Sequence, residues 1–196
     1  MKKILFAALG ALLLAGCAKQ PATMENQVIN NIMTRVSVRQ FTGEPITQAQ
    51  VDTLLRAAMA APSAVNKQPW AFVVISDKAI IDRIGAELPN TRCQNNAPCA
   101  IVLCGDTDKA LDGDGHEFWV QDVAAATENL LLAAHSMGLG AVWTGMYPTP
   151  RAALVQQMLD LPENIVPLAI VPVGYPAEQP EVKEKYNPEL IHYNKW

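Results

Sequence analysis

Along this chain apolar residues recur at helical spacing in some stretches and run unbroken in others. Between Asn26 and Thr34, Val28, Ile29, Ile32 and Met33 predict a helix leading into Arg35. Thr47 and Gln50 form a capping box ahead of Val51, Leu54, Leu55, Ala58 and Met59, a second helix that stops by Pro62. Trp70–Ile75 (WAFVVI) predicts a strand buried on both faces, Asp77–Leu88 a helix ending at Pro89, and Ala100–Cys104 (AIVLC) a second buried strand. Phe118–Met137 is the longest predicted helix, apolar on nearly every side and ended by Gly138 and Gly140. Ala141–Thr144 predicts a short third strand, Arg151–Leu159 a helix, and Ile165–Val173 a fourth strand interrupted by two prolines. The tail Tyr175–Trp196 has no strong period yet ends in Ile191, Tyr193 and Trp196, an arm that has to pack on something. The class is α+β, a sheet wrapped by helices. An all-apolar central helix is either the middle of a large core or a seam between copies, and a domain of about 180 residues favours the seam.

The N-terminus follows another logic. Lys2 and Lys3 precede an apolar run from Ile4 to Leu14, too short to cross a bilayer and ordered like a secretory signal. Leu14-Ala15-Gly16-Cys17 resembles a bacterial lipobox, which implies cleavage before Cys17 and lipidation of its thiol. Residues 1–16 are then a lipoprotein signal peptide, 17–24 a lipidated tether and 25–196 the folded domain. The expected location is the cell envelope of a bacterium, on the periplasmic or outer-membrane face.

Composition narrows the function. The chain has 196 residues, half of them hydrophobic, enough for one domain with a real core. Loss of Lys2 and Lys3 takes the formal charge from −4 to −6, so membrane attachment would come from the lipid on Cys17 alone. Nucleic acid is not an expected partner, because no Lys/Arg-rich run occurs. Four cysteines without paired spacing argue against a disulfide scaffold or a zinc site, although Cys93 and Cys99 could pair in an oxidising compartment. Cys104 reads as a small hydrophobe within a strand. Asp106, Asp108, Asp112 and Asp114 hint at calcium but lack the later bidentate Glu, so a solvated loop is expected and no metal. His116, His135 and His192 are scattered, and none is expected to be catalytic.

Three clusters carry candidate chemistry. In Arg35-Val36-Ser37-Val38-Arg39-Gln40-Phe41, an extended backbone puts Arg35, Ser37 and Arg39 on one face and Val36 and Val38 inward. Forked guanidiniums flanking a hydroxyl suit a phosphorylated or planar anionic ligand, while the plainer alternative is a solvated basic edge. In Pro62-Ser63-Ala64-Val65-Asn66-Lys67-Gln68-Pro69-Trp70, prolines stiffen a loop that offers Ser63, Asn66 and Gln68 at the mouth of a strand. Gly138-Leu139-Gly140-Ala141-Val142-Trp143-Thr144-Gly145 brings backbone close to its neighbours but lacks the third glycine of a dinucleotide fingerprint.

Together these stretches resemble the nitroreductase family of flavoproteins. Arg35-x-Ser37-x-Arg39-x-Phe41 is similar to its first flavin motif, and Pro62-Ser63-x-x-Asn66-x-Gln68-Pro69-Trp70 to its second. Phe118-Trp119-Val120-Gln121-Asp122, with Ala125, Asn129-Leu130 and Gly138-Leu139-Gly140, resembles its central helix and exit. The likeness runs from about Met24 to Trp196. It implies a nitroreductase-like fold with a central mixed sheet, an intertwined homodimer, and two FMN sites each built from both chains. It further implies a ping-pong reaction in which NADPH or NADH reduces FMN and a nitroaromatic, quinone or similar small acceptor reoxidises it. By position, Arg35 and Ser37, with Val36 between them, hold the phosphate and ribityl end, and Arg39 sits near the N1/O2 edge. There a fixed cation stabilises the negative charge left by two-electron reduction. Ser63, Asn66 and Gln68 belong to the opposite wall, Trp143, Thr144 and Gly145 line the ring near N5, and Lys185 is the nearest candidate to complete the phosphate site. Hydride passes directly between nicotinamide and flavin, so no protein acid or base is required. The alternatives are a flavin carrier without turnover and a structural lipoprotein without ligand.

Overall fold

The computed structural model describes residues 26–93 and 95–196; the expected signal peptide and tether, with Cys17, lie outside them. Helix α1 (Gln27–Thr34) starts where the Asn26 side chain accepts the Val28 and Ile29 N–H groups. Helix α2 (Gln48–Met59) opens with the expected reciprocal capping box of Thr47 and Gln50. Then follow β1 (Trp70–Ile75), α3 (Lys78–Glu87), β2 (Cys99–Asp106), α4 (Phe118–Ser136), β3 (Gly140–Ala141), β4 (Thr144–Gly145), α5 (Arg151–Met158) and β5 (Ile165–Gly174).

The strands form one sheet in the order β1-β2-β5-β3, with β4 also paired to β5, and each pairing is antiparallel. The single strand expected over Ala141–Thr144 is instead two short ones. Ala141 pairs with Val173 and Thr144 with Ile170, so Val142 and Trp143 leave the ladder opposite Val171 and Pro172. Pro172 has no N–H to offer on that side, and the neighbouring chain detaches there. Pro167 is accommodated beside a register shift between Leu103 and Cys104, so β5 runs on past both prolines.

Every residue of β2 is buried. On one face α2 and α4 cover Cys99, Ile101, Leu103, Val171 and Val173; on the other, residues of α3 and α5 cover Ala100, Val102, Cys104 and Ile170. The preference for α4 as a seam gives way to a core role along one side. Trp119, Val123, Ala126, Leu130 and Ala134 are buried within the protomer, while Gln121 and Glu128 stay exposed. The tail begins against the 40–42 segment, where Thr42 N–H donates to the Tyr175 carbonyl and Ala177 N–H to that of Gln40. Beyond it, residues 181–196 are all exposed.

Candidate active site

Residues 35–41 leave α1 in extended form and run beside β3. Val38 N–H donates to the Ala141 carbonyl at 3.1 Å. A Cβ on Gly140 would stand 2.6 Å from Val38 Cγ1, so glycine is what admits this close approach. The expected alternation holds in part: Val38 is buried with Phe41 and Ala97, while the half-buried Val36 packs against them and also lines the cavity that Arg35, Ser37 and Arg39 reach. Arg35, Ser37 and Arg39 all reach a cavity of about 190 Å³, where Pro180, Glu181, Lys183 and Lys185 of the tail close the other side. Asn95 Nδ2 donates to the Arg39 carbonyl and the Glu178 carboxylate accepts the Arg39 N–H, which fixes the backbone while the Arg39 guanidinium turns to the Ser37 carbonyl at 3.1 Å.

Charge dominates this cavity. Arg35, Arg39, Lys183 and Lys185 meet one carboxylate, Glu181, in its lining. Arg35 Nε also pairs with Glu128 Oε1 at 3.3 Å, and among the described residues no carboxylate lies within 4.0 Å of the other three cations. Uncompensated guanidinium and ammonium donors around a hydroxyl make an anion receptor. Lys185 was expected here. Lys183 was not singled out, because an aperiodic tail gives no indication of which lysine turns inward.

The second predicted cluster forms the loop between α2 and β1. Val65, Asn66 and Gln68 have φ of 41°, 59° and 51°, left-handed values at three non-glycine residues. Ser63 Oγ accepts the Gln68 N–H at 2.9 Å, and the Ser63 carbonyl accepts the Asn66 N–H at 3.0 Å. From α4, Asp122 Oδ1 accepts the Ala64 N–H at 2.8 Å. Pro62, Ser63 and Ala64 face Phe118, Gln121 and Ala125 across a groove of about 420 Å³. Asn66 and Gln68 are exposed at the loop's tip, outside both this groove and the cationic cavity.

The third cluster sits at the β3–β4 break. Trp143 is half-buried, Thr144 is buried with its hydroxyl donating to the Asn90 carbonyl at 3.3 Å, and Gly145 is exposed. Nearby, Tyr147 packs edge-on to Trp119 with ring centroids 4.9 Å apart. Its hydroxyl donates to Glu117 Oε2 at 3.1 Å, and this bond, followed by burial, pushes the phenol pKa up. The first and third clusters meet where Val38 packs on Gly140 and Ala141, while the loop of the second opens onto its own groove beside α4.

The remaining candidates have structural settings. His116 lies beside Glu117, and His192 stacks on Trp196. His135 Nε2 is 3.0 Å from Thr34 Oγ1; burial, then the nearby Arg35 charge, lowers its pKa. Burial alone would raise the Asp106 carboxyl, but hydrogen bonds from Lys109 and Asn164 outweigh it and hold the group below its ordinary value. Asp108, Asp112 and Asp114 are exposed, and among the described residues no three metal-binding side chains converge. Cys93, Cys99 and Cys104 are free thiols. The suggested Cys93–Cys99 bridge is absent because Cys99 points into the α4 face of the sheet while Cys93 packs with Cys104 on the other. No helix among the described residues is long and apolar enough to cross a membrane.

An antiparallel sheet wrapped by helices, with a cationic cavity on the extended segment after α1, defines an α+β protein with a candidate anion site. Comparison with known proteins makes that specific. The family model described as "Nitroreductase family" matches residues 32–91 and 87–175. The chain is 39% identical over 171 residues, 86% of its length and 87% of the relative's, to a "Putative NADH dehydrogenase/NAD(P)H nitroreductase" of Methanothermobacter thermautotrophicus. A crystal structure of a protein of the same description from Parabacteroides distasonis superposes with a TM-score of 0.82 at 44% identity, covering 88% of this chain and all of that one. The NADPH:FMN oxidoreductase of Vibrio harveyi, solved with NAD+, superposes with a TM-score of 0.78 at 30% identity, covering 87% of this chain and 78% of that one. The chain belongs to the nitroreductase family.

Proposed function

We propose that this protein is an FMN-dependent NAD(P)H oxidoreductase that reduces nitroaromatic, quinone or similar small acceptors by a ping-pong mechanism. The observation that carries the reading is the convergence of Arg35, Ser37, Arg39, Lys183 and Lys185 on one cavity, within a chain of this family. That donor set fits a phosphate monoester: two forked guanidiniums, two ammonium groups and a hydroxyl match its dianionic oxygens. At about 190 Å³ the cavity suits the phosphate and the adjoining polyol, and leaves a flavin ring outside it. Bound there, FMN would supply a two-electron carrier that accepts hydride from a nicotinamide and gives it up to the acceptor. Arg39, at the cavity's exposed rim, lends positive charge to the ring's N1/O2 edge, while Ser63, Asn66 and Gln68 form the facing wall. Backbone N–H groups near Trp143, Thr144 and Gly145 would donate toward N5 of a bound flavin.

The Ser63–Gln68 loop opens onto a groove apart from the cationic cavity, which supports a homodimer in which each site draws on two chains. Val28, Ile29, Ile32 and Met33 of α1 are 67%, 55%, 47% and 61% exposed, and Tyr186, Leu190, Tyr193 and Trp196 extend the apolar surface along the arm. Apolar surface of this extent marks an interface. Light scattering on the purified domain should give twice the protomer mass; a monomer that binds FMN fully would overturn the shared site. Lipid attachment at Cys17 rests on the charge, apolar run and Leu-Ala-Gly-Cys ending of residues 1–17. Labelled fatty acid should enter the wild-type chain and not Cys17→Ala.

The decisive experiment is a visible spectrum of the domain before and after anaerobic NADPH. Flavin bands that bleach, and return with menadione, are the expected result. Bands that persist with either nicotinamide would point to a carrier, and failure to bind added FMN would sink the reading.

A further inference from the structure

We propose that Asp122 is a positioning residue that holds the Ser63–Gln68 loop in its binding shape from the opposite side of the site. The loop opens with a short 3-10 turn, Ala64–Asn66, preceded by Ser63 in extended conformation. A serine in that place ordinarily accepts one of the turn's free N–H groups. Here Ser63 does not; its Oγ is taken by the Gln68 N–H, which closes the far end of the loop. The turn's first N–H, that of Ala64, is satisfied instead by Asp122 Oδ1 at 2.8 Å, from a residue 58 positions later in the chain. Asp122 thus caps the turn from α4 and frees Ser63 to bridge the loop internally.

This arrangement explains how three left-handed non-glycine residues persist in one exposed segment. Val65, Asn66 and Gln68 each sit in a conformation that L residues avoid, and the other hydrogen bonds of residues 63–68 run within the segment. Asp122 is their polar tie to the body of the protein at the loop's start; at its end, the Pro69 carbonyl accepts the Asp106 N–H at 2.8 Å. Asp122 is 7% exposed beside the buried Trp119, Val123 and Ala126 of α4, and it lines the groove between α4 and the loop, where its carboxylate meets the Ala64 N–H. Its burial suits an acceptor for a backbone N–H, because a charged partner strengthens that bond where water is scarce. A buried carboxylate that accepts a backbone N–H from the facing loop is therefore read as the anchor of a preorganised wall.

The consequence for flavin rests on the proposed function, but the effect on the loop does not, and the test separates them. Amide hydrogen exchange is measured on the flavin-free domain of wild type, Asp122→Ala and Asp122→Asn, with FMN affinity measured in parallel. Asp122→Ala should raise exchange of residues 64–68 at least tenfold while leaving β2 protected, and should weaken FMN binding by a similar factor. Asp122→Asn keeps an acceptor oxygen and should stay within about threefold of wild type on both readouts. Unchanged exchange in Asp122→Ala would overturn the inference, as would loss of protection throughout the sheet, which would mean a general packing role. A loosened loop with unaltered FMN affinity would overturn the link to binding. Failure of the wild type itself to bind FMN would fall on the functional reading and leave the loop result standing.

Discussion

Trp119 occupies the space that a side chain on Gly105 would need: a Cβ there would stand 2.2 Å from Trp119 Cε3 and 2.7 Å from Cζ3. The indole, 2% exposed, is pressed onto the backbone of β2, and this contact sets how near α4 approaches the sheet. Gly105→Ala should therefore force the helix outward and destabilise the fold by about 1–3 kcal/mol, the usual cost of overpacking. Urea denaturation followed by tryptophan fluorescence checks this, and a variant as stable as wild type would show that the contact yields freely.

The cationic cavity gives a graded set of expectations. Arg35→Ala removes a forked donor whose partner Glu128 then stays behind, and should weaken FMN binding by about ten- to a hundredfold, as loss of a charge-assisted hydrogen bond implies. Lys183→Ala should weaken it as well, although nothing in the sequence marks it above its neighbours. Glu181→Gln, which removes the one carboxylate from the cavity lining, should tighten binding. Fluorescence titration of FMN at two salt concentrations tests all three, and the wild-type affinity should fall as salt rises.

His135 predicts how stability depends on pH. Thr34 Oγ1 donates to the Asn30 carbonyl at 2.7 Å, so the imidazole Nε2, 3.0 Å away, serves as the donor to that hydroxyl. With its pKa lowered in the fold, His135 resists the proton that the unfolded chain accepts near the ordinary histidine value. Stability attached to this group is present above about pH 6.5 and is lost as pH falls from there toward the folded pKa. Unfolding free energies measured between pH 7 and pH 5 should fall more steeply for wild type than for His135→Gln. Equal slopes would mean that another group governs the acid side.

The three described cysteines should be inert. Burial pushes the thiol pKa of Cys99 to about 11 and of Cys104 to about 12, and burial raises that of Cys93 too. In a Cys17→Ser domain, a disulfide reagent at pH 8 should find no reactive thiol in the folded state and three after denaturation. Fewer than three in the denatured protein would reveal a bridge.

Local patterns told most of the fold. WAFVVI is β1 from Trp70 to Ile75, and the Thr47–Gln50 capping box opens α2 as its spacing implies. β1 lies at the sheet's edge, however, where only Ile75 is buried and Val74 is exposed, rather than being buried on both faces. In the cavity, the shared face of Arg35, Ser37 and Arg39 against the buried Val38 is legible because a strand's period needs no distant partner, although Val36 lines the cavity too. Distant partners account for the differences. The break at Val142–Trp143 follows from a proline on β5 that a local window around AVWT does not contain. Asp122 stands in the sequence only as part of the central-helix motif, since its Ala64 partner lies 58 residues upstream.

Lys183 and Lys185 stand on a segment in which every residue from 181 to 196 is exposed, yet they close the wall of the anion cavity. If the arm packs in the proposed homodimer, whatever fixes it also completes the cavity, so ligand capture and chain association draw on one ordering step. Thermodynamic reciprocity then requires that each promote the other. On dilution, the cofactor and the partner should be lost together, and saturating cofactor should hold the assembly at concentrations where the empty protein comes apart.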